Sequence, residues 1–200
     1  MKGTVYTKFV AGYIIFGVFS FLTIAILTSN WTFDHLVKEK SKDLYNEANL
    51  IANQYGAVYY NNEMTLSAVS YQLKAVDTFL NVQIWMADPN GEIIINTRKN
   101  PNMPSTIPDF DPSISGIIGT YHNMFQEDVI TVTAPITTQY KVNGYVIIHS
   151  SLRSIEAAKE NILNISYITL GVIFILSLIF LAIFTFTVYL PLRKIKVAAN

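Results

Sequence analysis

The chain of 200 residues has no cysteine, only three histidines, and no acidic residue before Asp34 or after Glu160. Without cysteine there is no disulfide framework and no Cys-based metal site, redox centre or nucleophile, so any folded domain is held by packing alone. No H-E-x-x-H, Gly-rich phosphate loop, Ser/His/Asp arrangement or pair of catalytic carboxylates at telling spacing occurs. Catalytic residues, a cofactor, a metal ion and a nucleic-acid partner are therefore not expected, and binding is the better default. Asn30-Trp31-Thr32 and Asn164-Ile165-Ser166 match the glycosylation sequon, but each lies beside an apolar run and the pattern is common by chance. Lack of cysteine is more usual for a bacterial surface than for an animal ectodomain.

Charge is missing from two long stretches, Phe9 to Phe33 and Asn161 to Leu192. The first holds twelve Leu, Ile, Phe or Val in the twenty positions from Phe9 to Thr28, and the second holds sixteen between Ile165 and Tyr189. At roughly −0.3 to −0.6 kcal/mol for each such residue, insertion of the first into a bilayer is favoured by about 4 to 7 kcal/mol. Both reach the ~20 residues that a helix needs to cross ~30 Å of hydrocarbon. A cleaved signal peptide is the competing reading of the first run, but a signal's apolar region is about 7 to 15 residues and no small-x-small site follows Thr28. The expectation is an uncleaved anchor.

The charges that are present are sorted. Lys2, Lys8, Arg193, Lys194 and Lys196 lie outside the two runs, giving +5, while the middle carries nine basic and fourteen acidic residues, or −5. The positive-inside bias puts both termini in the cytoplasm and the middle outside the cell membrane. The expected organisation is a cytoplasmic tail at 1–8, a first span at 9–29, an extracytoplasmic domain at 30–163, a second span at 164–190 and a cytoplasmic segment at 191–200. Tyr13 and Tyr189 suit interfacial belts, or lipid-facing positions.

About 130 residues between the spans suffice for one domain. Val37, Leu44, Ala48, Ile51, Tyr55 and Val58 form a helical stripe, and nothing breaks the pattern from Phe9 to Tyr55, so one helix about 70 Å long is expected. Gly56 and Asn61-Asn62 then allow a turn. Leu66, Val69, Leu73, Val76 and Leu80 predict a second helix. Either stripe can pack on its own domain or form a parallel dimer seam. From Val82 the period becomes two. Strands are expected at Val82 to Ala87 and Glu92 to Asn96, joined by the turn Asp88-Pro89-Asn90-Gly91. Four prolines make 97–113 an irregular loop of the kind that lines binding sites. A helical turn at Ser113 to Ile118 and strands at Tyr121 to Phe125, Val129 to Ala134 and Asn143 to Ser150 follow, with turns at Glu127-Asp128 and Lys141-Val142-Asn143-Gly144. The last helix, opening at Leu152, Ile155 and Ala158, runs unbroken into the second span. The fold class is α+β, with long N-terminal helices and a five-stranded antiparallel sheet.

Several side chains carry two readings. Arg98 and Lys99 suit a small carboxylate or phosphate, or form a solvated basic turn. Trp85 is a pocket wall or a core filler. His122 beside Tyr121 follows the irregular loop and is a pocket candidate, whereas His149, alternating with Tyr145 and Ile147, reads as a hydrogen-bonded structural histidine. Asp109, Asp111, Glu127 and Asp128 offer oxygen ligands to a divalent cation without an EF-hand spacing, or keep their loops soluble. The candidate ligand contacts are Trp85, Asn96, Arg98, Tyr121, His122 and Thr133, and Arg153 and Pro191 are the candidate relay positions.

Span, long helix, hairpin, irregular loop, meander, helix and span in this order resemble the extracytoplasmic Cache, or PAS-like, region of bacterial membrane sensors. The local matches are Val82 to Ile94 and Gly144 to Ser150. Leu190-Pro191-Leu192-Arg193-Lys194-Ile195-Lys196-Val197-Ala198-Ala199 resembles the opening of a HAMP linker, and a basic stop-transfer flank has the same composition. The resemblance implies a transmembrane signal receptor module, most often of a two-component sensor histidine kinase and next most often of a chemoreceptor. It further implies a homodimer in the lipid bilayer, an unknown small extracellular ligand, and a downstream kinase domain and response regulator. His35, His122 and His149 all lie between the runs, so the phosphoacceptor and the ATP-binding segment are expected beyond Asn200, and the chain reads as an excised or truncated module without kinase activity. A membrane-tethered protein-binding scaffold is the alternative from another class.

Overall fold

A computed structural model describes residues 5–98, 104–113 and 115–191. The chain separates into two compact units, Phe33–Ala157 and the pair Met1–Thr32 with Ala158–Asn200.

The second of these contains the two apolar segments. Helical geometry runs from Tyr6 to Tyr60 and again from Arg153 to Tyr189, and both helices are long and apolar enough to cross a membrane. Their most apolar stretches have no buried residue, and Phe16, Phe19, Phe180 and Phe186 are all about seven-tenths exposed (73, 69, 69 and 70 %). Few water-soluble surfaces carry so much contiguous apolar area. The segments meet through small and polar groups. Phe174 lies where a Cβ on Gly17 would be only 2.9 Å from its ring. The Tyr6 hydroxyl is 2.7 Å from Thr185 Oγ1, its ring stacks on Tyr189 with centroids 4.2 Å apart, and the Tyr13 hydroxyl bonds Ser177. Close approach at glycine and interhelical hydrogen bonds are the forces left for association where lipid is as apolar as the side chains.

The Phe33–Ala157 unit is α+β. Helix α1 (Val5–Ile51) passes through one π-helical stretch, Ala52–Gly56, into α2 (Ala57–Tyr60). The turn comes at Asn61-Asn62, with Asn62 at φ 61°. Gly56 is not part of it, contrary to the sequence expectation: it is helical and lies under Ile136, whose side chain a Cβ would meet at 2.8 Å. Thr65 then caps α3 (Leu66–Leu80) by accepting the Ala68 N–H, and Asn81 closes it in the left-handed conformation that helix ends favour.

Among the described residues one antiparallel sheet forms from β1 (Gln83–Ala87), β2 (Ile93–Asn96), β3 (Ile117–Gly119), β4 (Val129–Thr138) and β5 (Lys141–Ser151), in the order β2-β1-β5-β4-β3. The first hairpin turns as read from sequence: Asp88 accepts the Asn90 and Glu92 N–H groups and Gly91 takes φ 84°. Three expectations fail. Ile117 and Ile118 belong to β3, which pairs with Thr131 and Ile130 of β4, so Ser113 to Ile118 is not a helical turn. Tyr121 to Phe125 is not a strand, because Tyr121, His122 and Asn123 all have positive φ (39, 54 and 60°), which curls the segment onto itself. Finally, Lys141 to Gly144 is strand, and the reversal falls on Gln139-Tyr140 at φ 49 and 62°, with a register shift after Ile136 that absorbs the odd residue. Pro135 sits in β4 past the end of β3, where among the described residues no strand pairs with that side of β4 and a missing N–H costs the ladder nothing.

Both sheet faces are covered. Ile84, Met86, Val132, Val146 and Ile148 face a core closed by Leu44, Ala48, Ile51, Val69 and Leu73 of the helices, joined by Leu152 and Ile155 at the start of α4 (Arg153–Phe184). Trp85, Ala87 and Ile147 face a second, smaller core under the loops. The candidate relay residue Pro191 is the last described residue, at a helical end, and the remainder of the HAMP-like segment lies outside the described residues.

Candidate ligand-binding site

Strand register assembles the loop-side face in rows. Thr131 pairs with His149 and His149 with Gln83; Thr133 pairs with Ile147, Ile147 with Trp85, and Trp85 with Asn96. Directly opposed residues point to the same side of a sheet. Three of the six candidates, Trp85, Asn96 and Thr133, therefore share one row, and Tyr121 closes over it from the loop, its ring edge-on to Trp85 with centroids 5.9 Å apart.

His149 is the centre. It is 2 % exposed, its ring centroid is 4.2 Å from that of Trp85, 4.7 Å from Phe125 and 4.9 Å from Tyr121. Its Nδ1 is 2.8 Å from Thr131 Oγ1. Its Nε2 has no hydrogen-bond partner, nor does the neighbouring indole Nε1 of Trp85, which is wholly buried. Such orphaned groups are rare because each forfeits its hydration. Burial among aromatic rings pushes the imidazole pKa down to about 3, so His149 is neutral at physiological pH. The same cause pushes the Tyr121 phenol up to about 12.

The cover is the segment Thr120–Phe125. Phe125 stacks on Trp85 at 15° with centroids 5.6 Å apart, and the coil is held by the Phe125 and Met124 N–H groups donating to the Thr120 and Tyr121 carbonyls. Residues Asp111 and Ser113 form a separate capped turn, in which Asp111 accepts the Ser113 N–H and O–H and its pKa is lowered by these bonds. Among the described residues no three His, Asp or Glu side chains gather to hold a metal ion.

Two candidates go elsewhere. Arg98 donates through Nε and Nη2 to the carboxylate of Asp77 on α3, at 2.9 and 2.7 Å, and reaches the Val82 carbonyl at 3.3 Å. Its guanidinium is committed to joining β2 to α3. His122 is exposed, edge-on to Tyr121 at 4.8 Å, on the outside of the cover. Asn96 is held in its row by Gln83, whose Nε2 donates to its Oδ1 at 2.9 Å.

Sequence reasoning passed over His149 as the organising group, although its alternation with Tyr145 and Ile147 had placed it on this face. Phe125 carried no signal, because a run of three left-handed non-glycine residues precedes it. Just past the cover, Glu127 and Asp128 precede β4 and touch the start of α4, which the chain itself reaches only after β4 and β5. The Leu152 N–H donates to the Asp128 carbonyl at 3.1 Å, and Arg153 Nε meets Glu127 Oε2 at 2.9 Å. No protein-family model matches the chain, and no curated protein matches it.

Proposed function

We propose that the chain is the signal-receiving module of a membrane receptor of the sensor histidine kinase type. In this reading the Phe33–Ala157 unit is a Cache or PAS-like detector outside the cell, and the two apolar helices are its spans. The segment from Pro191 begins a HAMP relay. A ligand seated on the Trp85–His149 face moves the Thr120–Phe125 cover, and the displacement passes through Glu127 and Asp128 to the first turn of α4. A ligand shifts such a two-state equilibrium only by its differential affinity for the two arrangements. An unbroken helix transmits that shift where a flexible joint would absorb it.

The observation that carries this reading is the pair of buried, unpartnered ring nitrogens, on Trp85 and His149, lying under a cover that is followed within three residues by Glu127 and Asp128, which bond the start of α4. Inserting Gly-Gly between Arg153 and Asn161, in the chain fused to a histidine kinase output domain, tests the relay. The stimulus response is expected to disappear while basal autophosphorylation and membrane insertion persist. An undiminished response would sink the proposal.

A further inference from the structure

The Trp85–His149 face also restricts what can bind there. An indole N–H only donates, so Trp85 Nε1 requires an acceptor. His149 Nε2 is donor or acceptor according to whether Thr131 donates to Nδ1 or accepts from it. A carboxamide, with a carbonyl oxygen beside an N–H, satisfies both rings whichever tautomer is present, and a hydroxyl does the same. Charge is excluded by what surrounds these nitrogens. The cluster consists of Trp85, Ala87, Ile107, Tyr121, Val129 and Ile147 with apolar and aromatic neighbours, and burial alone, with no contribution from a neighbouring charge, shifts the titration of both His149 and Tyr121. Arg98, the cation nearest in sequence to this face, is paired with Asp77 on α3. A carboxylate or an ammonium group would be stripped of water with no counter-charge, which is far costlier than burying a neutral amide with its hydrogen bonds made.

The ring of Phe125, stacked nearly parallel on Trp85 at 5.6 Å, marks the space open to a flat molecule once the cover lifts. Tyr121, His122 and Asn123 hold left-handed conformations that non-glycine residues adopt at a cost, so rearrangement of the cover relieves strain. We infer that this face takes a small, planar, uncharged molecule bearing a carboxamide or hydroxyl group, which replaces Phe125 against Trp85 and pairs with the free ring nitrogens of Trp85 and His149. The inference rests on the receptor reading above and narrows its ligand to a neutral class.

Three isosteres test it: benzamide, benzoate and benzamidinium. The full chain in lipid nanodiscs is titrated while the two indole N–H resonances are followed, with Trp31 as the internal control. Benzamide is expected to move the Trp85 resonance and leave that of Trp31, with the two ions failing to do so. His149→Leu should weaken benzamide about tenfold, the worth of one hydrogen bond, and Phe125→Ala should strengthen it by vacating the stacking position. Since Phe125→Ala alters only the cover, it also serves if His149→Leu fails to fold. No movement of the Trp85 resonance with benzamide, in either the native chain or Phe125→Ala, overturns the inference. So does benzoate or benzamidinium binding as well as benzamide, an outcome that leaves the receptor reading standing. Conversely, benzamide binding at Trp85 alongside an intact response in the Gly-Gly insertion retains the site and removes the relay.

Discussion

Asp77 is 5 % exposed, and a carboxylate so placed depends on its partner. Arg98 supplies two hydrogen bonds to it from a side chain that is itself about half exposed, so water screens part of the pair. Arg98→Ala is expected to lower the unfolding free energy by about 1 to 3 kcal/mol, less than the ~3–5 kcal/mol of a fully buried pair. Urea titration of the native and substituted chains reads the difference. The sequence displayed Arg98 as an attractive anion ligand because its partner lies 21 positions away on a helix, a separation that no local pattern reports. His149 makes the opposite case. Its depressed pKa means that the folded state stays neutral while the unfolded state takes a proton below about pH 6.5. Stability contributed by the neutral ring is therefore complete above about pH 6.5 and falls toward pH 3, with a slope approaching ~1.4 kcal/mol per pH unit. His149→Gln should flatten the pH dependence of unfolding over that window by the equivalent of one proton. An unchanged slope would mean that His149 is accessible to protons in the fold.

At the scale of elements, patterns that come from one local cause were readable and those imposed from a distance were not. The three-four spacing of Leu66 to Leu80 gave α3, and Asp88 to Gly91 gave the first hairpin, because amphipathicity and turn chemistry act within a few residues. The second hairpin was misplaced because Gln139 and Tyr140 take the left-handed conformations that Asn143-Gly144 advertise. The three-residue β3 carries no period at all, and its pairing to β4 decides its conformation. Gly144 shows what such misreading hides. It lies in β5 opposite Ile136, and a Cβ there would sit 2.6 Å from the Ala87 carbonyl oxygen and 2.7 Å from the Tyr60 hydroxyl oxygen. The carbonyl belongs to the β1 backbone and cannot move aside cheaply. Gly144→Ala is expected to destabilise by about 1 to 3 kcal/mol through overpacking, measured as a lower urea midpoint. A neutral result would show that β1 and β5 separate at this end.

For the whole molecule, the two long apolar helices and the α+β unit were both legible, since hydropathy and charge act over tens of residues. The candidate site was half legible: register brought Trp85, Asn96 and Thr133 into one row and Tyr121 over it, while the pairing of Arg98 and the central place of His149 are products of tertiary packing. All functional conclusions depend on the Phe33–Ala157 unit lying on the opposite side of the membrane from both ends. The absence of native cysteine permits a direct measurement, because one introduced thiol is the only one to react. Tyr140 stands fully exposed at the tip of the second hairpin, and Lys2 precedes the first apolar run. A membrane-impermeant maleimide applied to intact cells is expected to modify Tyr140→Cys and to reach Lys2→Cys only after the cells are opened. Protection of Tyr140→Cys in intact cells, with labelling only on lysis, would contradict the account.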